Sequence, residues 1–114
     1  MIVWLDDLRD PIQYGVPEAL WIKNSQDFMK FLNSPSKHYR YATEWHFDND
    51  LGEQSESDGY SCFLALEEKI VFGKILRDKV KIFVHTSNPS AGHKFMLAKD
   101  SLSRYGVTII RNNY

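Results

Sequence analysis

Short apolar runs alternate along the chain with segments in which apolar residues recur every three or four positions. The first run, Ile2–Leu5, stops at two aspartates, as a buried strand followed by a polar loop would. Helical periodicity appears between the later runs, where Phe28, Phe31 and Leu32 share one helix face. We therefore predict five strands, at 2–5, 19–22, 41–47, 80–84 and 107–110, and helices at about 24–32, 60–76 and 90–105.

This order of elements predicts the fold class. Strands that alternate with helices indicate a parallel sheet with helices on both faces. Five strands in a single domain, residues 1–114, fit a flavodoxin-like open sheet with strand order 2-1-3-4-5. Ligands of such sheets bind beyond the carboxyl ends of the strands, near the switch point between strands one and three. The candidate functional residues are therefore the polar ones that follow strands one, three and four, namely Asp6, Asp7, Asp48, Asp50, His85, Thr86, Ser87 and Asn88.

Several carboxylates at one edge of a sheet repel each other unless a cation compensates them. Two unit charges 5 Å apart repel by about 3 kcal/mol at an effective dielectric constant of 20. Mg²⁺ or Mn²⁺, which prefer oxygen ligands, would remove this repulsion, and Asp6, Asp7 and Asp48 are the expected metal ligands. Raised pKa values of the carboxyl groups are the alternative.

His85 is the candidate general acid or base, because the pKa of an unperturbed histidine lies near 6.5. A packed histidine that donates to a backbone carbonyl is the alternative. Asp48 and Asp50 complete the predicted catalytic set. His46 lies inside strand three and is expected to be a structural core residue.

A phosphate site is expected where strand four gives way to a helix. Thr86, Ser87 and Asn88 carry groups that bind phosphate oxygens, and the following helix starts there with free N–H groups. The alternative is that Ser87 or Asn88 only caps the helix. Arg9 is a second candidate phosphate ligand, and an ion pair with Asp10 or Asp7 is its alternative.

Composition and charge make several classes of protein unexpected for this chain, namely membrane, secreted and duplex-DNA-binding proteins. Apolar residues make up 43% of the chain and charged residues 25%, which is typical of a globular domain. No apolar run approaches the ~20 residues of a membrane span, no signal peptide is visible, and Cys62 is the only cysteine. We expect a cytoplasmic protein without a membrane partner. The net charge is −1, and no helix carries interleaved basic residues, so duplex DNA is not an expected partner.

Three motifs resemble those of a known family. Leu5-Asp6-Asp7, an aspartate after strand three and a hydroxyl after strand four resemble the response-regulator receiver domain, although Arg111 stands where receivers have a lysine after strand five. The similarity is closer to the cyclic-phosphate-processing receiver family. The matching segments are Leu5 to Arg9, Asp48-Asn49-Asp50-Leu51-Gly52, and His85-Thr86-Ser87-Asn88-Pro89 followed by Gly92 and Met96. Asn49 occupies the position of a family histidine.

The resemblance implies a metal-dependent phosphoesterase that acts on a cyclic or terminal phosphate of a nucleotide or RNA end. In this role His85 would move a proton, while the hydroxyls after strand four would orient the phosphate. The alternative is a receiver-like module without activity, which binds a protein partner or sequesters a phosphate-bearing small molecule. Retention of His85 and the aspartates favours the enzyme, whereas Asn49 and the missing receiver lysine favour the binding module.

Overall fold

The computed structural model describes residues 1–48, 58–73, 79–85 and 89–112. Its five strands are β1 (Ile2–Leu5), β2 (Leu20–Ile22), β3 (Glu44–Asp48), β4 (Val80–His85) and β5 (Val107–Asn112). Its four α-helices are α1 (Ser25–Leu32), α2 (Asp58–Gly73), α3 (Pro89–Met96) and α4 (Lys99–Ser103). Two 3-10 helices, Pro11–Tyr14 and His38–Tyr41, precede β2 and β3.

The five strands form one parallel sheet in the order β2-β1-β3-β4-β5, which confirms the predicted receiver-like topology. The register pairs Trp4 with His46 across β1 and β3, and Asp48 with His85 across β3 and β4. The carboxyl ends of the three central strands therefore lie at one edge of the sheet, and the residues there become neighbours.

Helix α1 forms as the sequence predicts. Asn24 precedes it in an extended conformation, and its side-chain oxygen accepts a hydrogen bond from the backbone N–H of Asp27 at 2.8 Å. The buried face carries Phe28 and Leu32, one turn apart. This helix packs against α2 and covers the sheet beside β3.

Several predicted elements have different bounds in the structure. Strand β3 begins at Glu44 and not at Tyr41, because residues 38–41 form a 3-10 helix that buries the ring of Tyr39. The predicted helix 90–105 divides into α3 and α4, with a turn at residues 97–98. Helix α2 begins two residues earlier than predicted, and the end predicted for it at residue 76 lies outside the described residues.

Helical segments cover the two faces of the sheet unequally. The hydrophobic core joins one face of the strands to α1, α2, α3 and α4, and residues such as Phe47, Phe63 and Phe95 are fully buried in it. The other face carries Trp4, whose ring lies 5.7 Å from that of Tyr14 in the first 3-10 helix. Cys62 is buried in the core, in keeping with a packing role. None of the helices in the described part of the chain has the length and hydrophobicity needed to cross a bilayer.

Candidate functional site

The loop after β1 is shaped by the side chain of Asp6. Its Oδ1 atom accepts hydrogen bonds from the backbone N–H groups of Leu8 and Arg9, both at 2.9 Å. The backbone N–H of Asp6 itself donates to the carbonyl of Ile22 on β2, at 3.1 Å. Because an aspartate can bond the backbone two and three residues ahead, it turns the chain sharply at the end of the strand. This turn brings Arg9 back over the edge of the sheet.

The side chains of two tryptophans form hydrogen bonds with the backbone of the same loop. The indole N–H of Trp4 donates to the carbonyl of Arg9 at 2.9 Å, and that of Trp21 donates to the carbonyl of Asp6 at 2.7 Å. A tryptophan N–H that is removed from water requires such a partner. Both ends of the turn are therefore tied to rings that stand on the sheet. The pattern of the sequence predicts only strand positions for Trp4 and Trp21, with no role at the site.

The three predicted metal ligands come together. One carboxylate oxygen from each of Asp6, Asp7 and Asp48 lies within 4.8 Å of the others. At that separation two carboxylates repel by about 3 kcal/mol for an effective dielectric constant of 20. The guanidinium of Arg9 offsets part of this repulsion, since its Nη1 atom lies 3.5 Å from Asp6 Oδ2 and 3.9 Å from Asp48 Oδ2. Three carboxylates and one guanidinium still leave an excess of negative charge.

The chemistry of these donors fits a hard divalent cation. Mg²⁺ and Mn²⁺ take carboxylate oxygens and keep several water ligands, so a site with three carboxylates on one side suits them. Asp6 Oδ1 accepts hydrogen bonds from two backbone N–H groups, and Asp6 Oδ2 lies 3.5 Å from Arg9 Nη1. Oxygen-only donors make the site unsuitable for metals that prefer sulfur ligands.

Arg9 lies beside the carboxylate cluster, as a phosphate ligand would. Its ion-pair partners include Asp6 and Asp48; the sequence predicts an ion pair with Asp10 or Asp7 as the alternative to phosphate binding. The Asp10 carboxylate instead accepts a hydrogen bond from the backbone N–H of Ile12 at 2.9 Å and caps the first 3-10 helix. About a third of the Arg9 side chain is exposed, so the guanidinium is accessible from solvent.

His85 ends β4 next to Asp48 and is buried. Its pKa falls from 6.5 to about 3, chiefly because burial disfavours the charged ring, with the neighbouring His46 and Arg9 acting in the same direction. The imidazole is therefore neutral at pH 7. In that form it can accept a proton, but it has no ready proton to give to a substrate.

A hydrogen-bonded chain that the sequence analysis missed runs along the sheet to His85. His46 Nδ1 lies 2.6 Å from His85 Nε2, and His46 Nε2 lies 3.0 Å from the carboxylate of Glu44. His46 is buried as predicted, between the rings of Trp4 and Phe83 at 4.7 Å each. Burial lowers its pKa, against an opposing effect of Glu44. The spacing Glu44-x-His46-x-Asp48, which places three polar residues on one strand face, was the available signal.

Four of the predicted site residues belong to segments outside the described ranges. Asp50 follows β3, while Thr86, Ser87 and Asn88 follow β4, and all four lie outside the described residues. Their assignment as catalytic or phosphate-binding residues stays a prediction. The remaining predicted residues converge at one edge of the sheet, and they are Asp6, Asp7, Arg9, Asp48 and His85.

The comparison with protein families agrees with this geometry. The model of the cyclic-phosphate processing receiver domain matches residues 1–101, which include β1 to β4, α1 to α3 and the start of α4. The chain belongs to this family. A search of curated proteins and a search of solved structures gave no match. Membership of this family supports the receiver-like fold of the chain.

Proposed function

We propose that this receiver domain is a metal-dependent phosphoesterase whose substrate is a cyclic or terminal phosphate of a nucleotide or RNA end. The observation that carries the proposal is the convergence of three carboxylates on one point, with an arginine and a neutral histidine beside them. The family to which the chain belongs supports a cyclic phosphate as the group that is processed.

Each residue has a role in this reaction. Hydrolysis of a cyclic phosphodiester joins the oxygen of water to phosphorus and breaks one P–O bond of the ring. Neutral His85 accepts the proton that water loses and returns it to the departing alkoxide oxygen. Arg9 holds a phosphate oxygen through its guanidinium, since the planar fork of donors matches oxyanions. Because Asp6 and the two tryptophans hold the turn that bears Arg9, the guanidinium is placed before substrate arrives.

Asp6, Asp7 and Asp48 would hold the divalent cation. Once bound, the cation supplies Lewis-acid polarisation of the phosphoryl oxygens and a lowered pKa for coordinated water. It also compensates carboxylates that would otherwise repel an anionic substrate. Arg9, whose Nη1 lies 3.5 Å from Asp6 Oδ2 and 3.9 Å from Asp48 Oδ2, would bind a phosphate oxygen beside the cation.

A second function, binding of a phosphate-bearing molecule without turnover, is favoured by one specific observation. A histidine whose pKa is about 3 is a weak base at neutral pH, because few of its encounters with water lead to proton transfer. Asn49, at the position of the family histidine, supplies no base in its place. The same carboxylates and Arg9 would serve a binding module.

One assay separates the two functions. The purified protein, with Mn²⁺ present, is incubated with 2′,3′-cyclic nucleotides and with RNA ends that carry a cyclic phosphate, and ring opening is followed by phosphorus NMR. For an enzyme, His85→Gln lowers turnover about 10²–10⁴-fold with little change in affinity, because glutamine keeps hydrogen-bonding capacity without proton transfer. Asp48→Asn lowers both affinity and turnover, since the cation is lost.

Two exposed residues provide matched controls. His38→Gln and Asp100→Asn make the same chemical changes away from the site and should leave turnover unchanged. Stoichiometric binding of a cyclic phosphate without ring opening, in the parent protein and with metal present, would refute the enzyme and support the binding module.

A further inference from the structure

A cavity of about 490 Å³ lies between the carboxyl-terminal parts of α1 and α2. Met29 and Leu32 on α1 and Ala65 on α2 line it, together with Tyr39 of the second 3-10 helix. Its volume is within the range of about 300–1,000 Å³ that is usual for small-molecule sites. Because the strands are parallel, both helices lead from the carboxyl edge of the sheet back to its amino edge. The cavity is therefore separate from the carboxylate cluster, which lies at the carboxyl edge.

Two lysines give the cavity an excess of positive charge. Lys37 and Lys69 line it together with one acidic residue, Glu68. In the described part of the chain, no carboxylate lies within ion-pair distance of either ammonium group. The ammonium of Lys69 lies 5.7 Å from the centre of the Tyr39 ring, a contact that favours its position beside the cavity. An anion bound in the cavity would give both lysines a counter-ion.

The hydroxyl group of Tyr39 points to the same kind of ligand. The residue is only 5% exposed, and among the described residues its hydroxyl has no hydrogen-bond partner. Tyrosine hydroxyls that are removed from water usually find a partner, because the loss of hydration is otherwise uncompensated. Since Tyr39 lines the cavity, an acceptor oxygen held there would supply that partner.

Two further lining residues carry a cost in free energy. Lys37 has a φ of 55°, in the left-handed region that side chains other than those of glycine, asparagine and aspartate rarely adopt. Phe72, in the last turn of α2, leaves 81% of its surface exposed. An apolar ligand body packed on the Phe72 ring would remove this surface from water.

We propose that the cavity binds a small aryl carboxylate. The carboxylate pairs with Lys37 and Lys69 and accepts a hydrogen bond from the Tyr39 hydroxyl, while the ring of the ligand packs against Met29 and Phe72. Charge complementarity selects an anion, because two of the three charged side chains of the lining are lysines. The proposal is independent of the proposed function, since it uses none of the residues at the carboxyl edge.

Phenylbutyrate is the probe, and phenylbutyramide, which has the same shape without the charge, is its control. In EDTA and at millimolar concentrations, phenylbutyrate should shift the amide signals of Asn33 and Lys69 in proton–nitrogen NMR spectra, and added NaCl should weaken its binding. The uncharged amide should bind about 5-fold more weakly, the effect of losing one well-formed exposed ion pair. Equal affinities of the two compounds, or no shifts in this region, would overturn the proposal.

Two variants separate ligand binding from folding. Tyr39→Phe should weaken phenylbutyrate binding about 2–10-fold without lowering Tm, because the hydroxyl has no partner within the described protein. Lys37→Asn should weaken binding about 2–5-fold, again without lowering Tm, since asparagine adopts the left-handed conformation more readily than lysine. Unchanged affinity in both variants would overturn the proposal.

Controls at other surfaces locate the bound ligand. Phe72→Ala should weaken phenylbutyrate binding, whereas Leu97→Ala, which also removes an exposed apolar side chain, should not. Lys99→Asn, at an exposed lysine of α4, is the matched control for Lys37→Asn and should leave affinity unchanged. Arg9→Gln should also leave affinity unchanged. Loss of binding in Arg9→Gln would place the anion at the carboxyl edge and overturn the proposal.

Discussion

The buried pair of His46 and His85 should make the protein lose stability in mildly acidic solution. The pKa of His85 is lowered in the folded state to about 3, from 6.5, and that of His46 is lowered as well. Above pH 6.5 both the folded and the unfolded chain hold these rings neutral, so neither contributes to the pH dependence. As the pH falls from 6.5 towards 3, only the unfolded chain binds the protons, and the free energy of unfolding decreases.

The magnitude follows from the pKa difference of His85. At pH 5 the medium is about 1.5 pH units below the ordinary pKa of histidine, and each unit corresponds to about 1.4 kcal/mol. His85 alone therefore removes about 2 kcal/mol from the free energy of unfolding between pH 7.5 and pH 5. His46 acts in the same direction. Such a loss is a large fraction of the stability of a small domain.

Urea unfolding followed by tryptophan fluorescence, in EDTA at several pH values, measures this dependence. His85→Gln should be less sensitive to acid than the parent protein by about 2 kcal/mol over the same range. His38→Gln is the matched control, because it makes the same substitution at an exposed histidine outside the buried pair. A parent protein that is equally stable at pH 7.5 and pH 5 would contradict the buried, neutral state of the pair.

Three further predictions concern the carboxylates, the loop and helix α3. Millimolar Mg²⁺ or Mn²⁺ should raise the Tm of the parent protein but not of Asp48→Asn, and an equal rise in both would count against the cation site. Trp21→Phe should lower the free energy of unfolding by about 1 kcal/mol in urea titrations, since it removes the hydrogen bond to the Asp6 carbonyl while keeping an aromatic ring. A Cβ at Gly92 would lie 2.5 Å from Nε of Arg111, an exposed and flexible side chain that can move away. Gly92→Ala should therefore change the free energy of unfolding by less than about 1 kcal/mol, because the higher helix propensity of alanine opposes the crowding. A loss well above that value in urea titrations would show that Arg111 is held in place.

The strand order was predictable from the sequence, but the start of β3 was not. Tyr41, Ala42 and Thr43 precede Glu44 in a run that favours a strand, since aromatic and β-branched residues are common there. The structure instead places Tyr41 at the end of a 3-10 helix. Lys37, the residue before this helix, adopts a left-handed backbone conformation with a φ of 55°. Burial of Tyr39 against the core stabilises this turn. Local propensity therefore yields to a tertiary contact that the sequence pattern does not reveal.

The site was predictable as far as topology determines it. Asp6, Asp7, Asp48 and His85 meet because parallel strands bring their carboxyl ends to one edge, a rule that needs no side-chain detail. The hydrogen bonds of the loop were not predictable, because they depend on which way the indoles of Trp4 and Trp21 point. Those directions follow from packing on the sheet and not from the order of residues.

The alternation of polar residues along the central strands explains how a hydrogen-bonded chain can reach the site. A parallel sheet buried on both faces has near-continuous apolar strands, whereas β3 places Glu44, His46 and Asp48 on one face and buried Trp45 and Phe47 on the other. All four α-helices contribute to the core on the apolar face. The opposite face carries His46 and His85, whose rings are also buried. Because buried polar groups need hydrogen-bond partners, this face joins Glu44 at the start of β3 to His46 and then to His85 at the end of β4 by two hydrogen bonds, which lead along the sheet to its carboxyl edge.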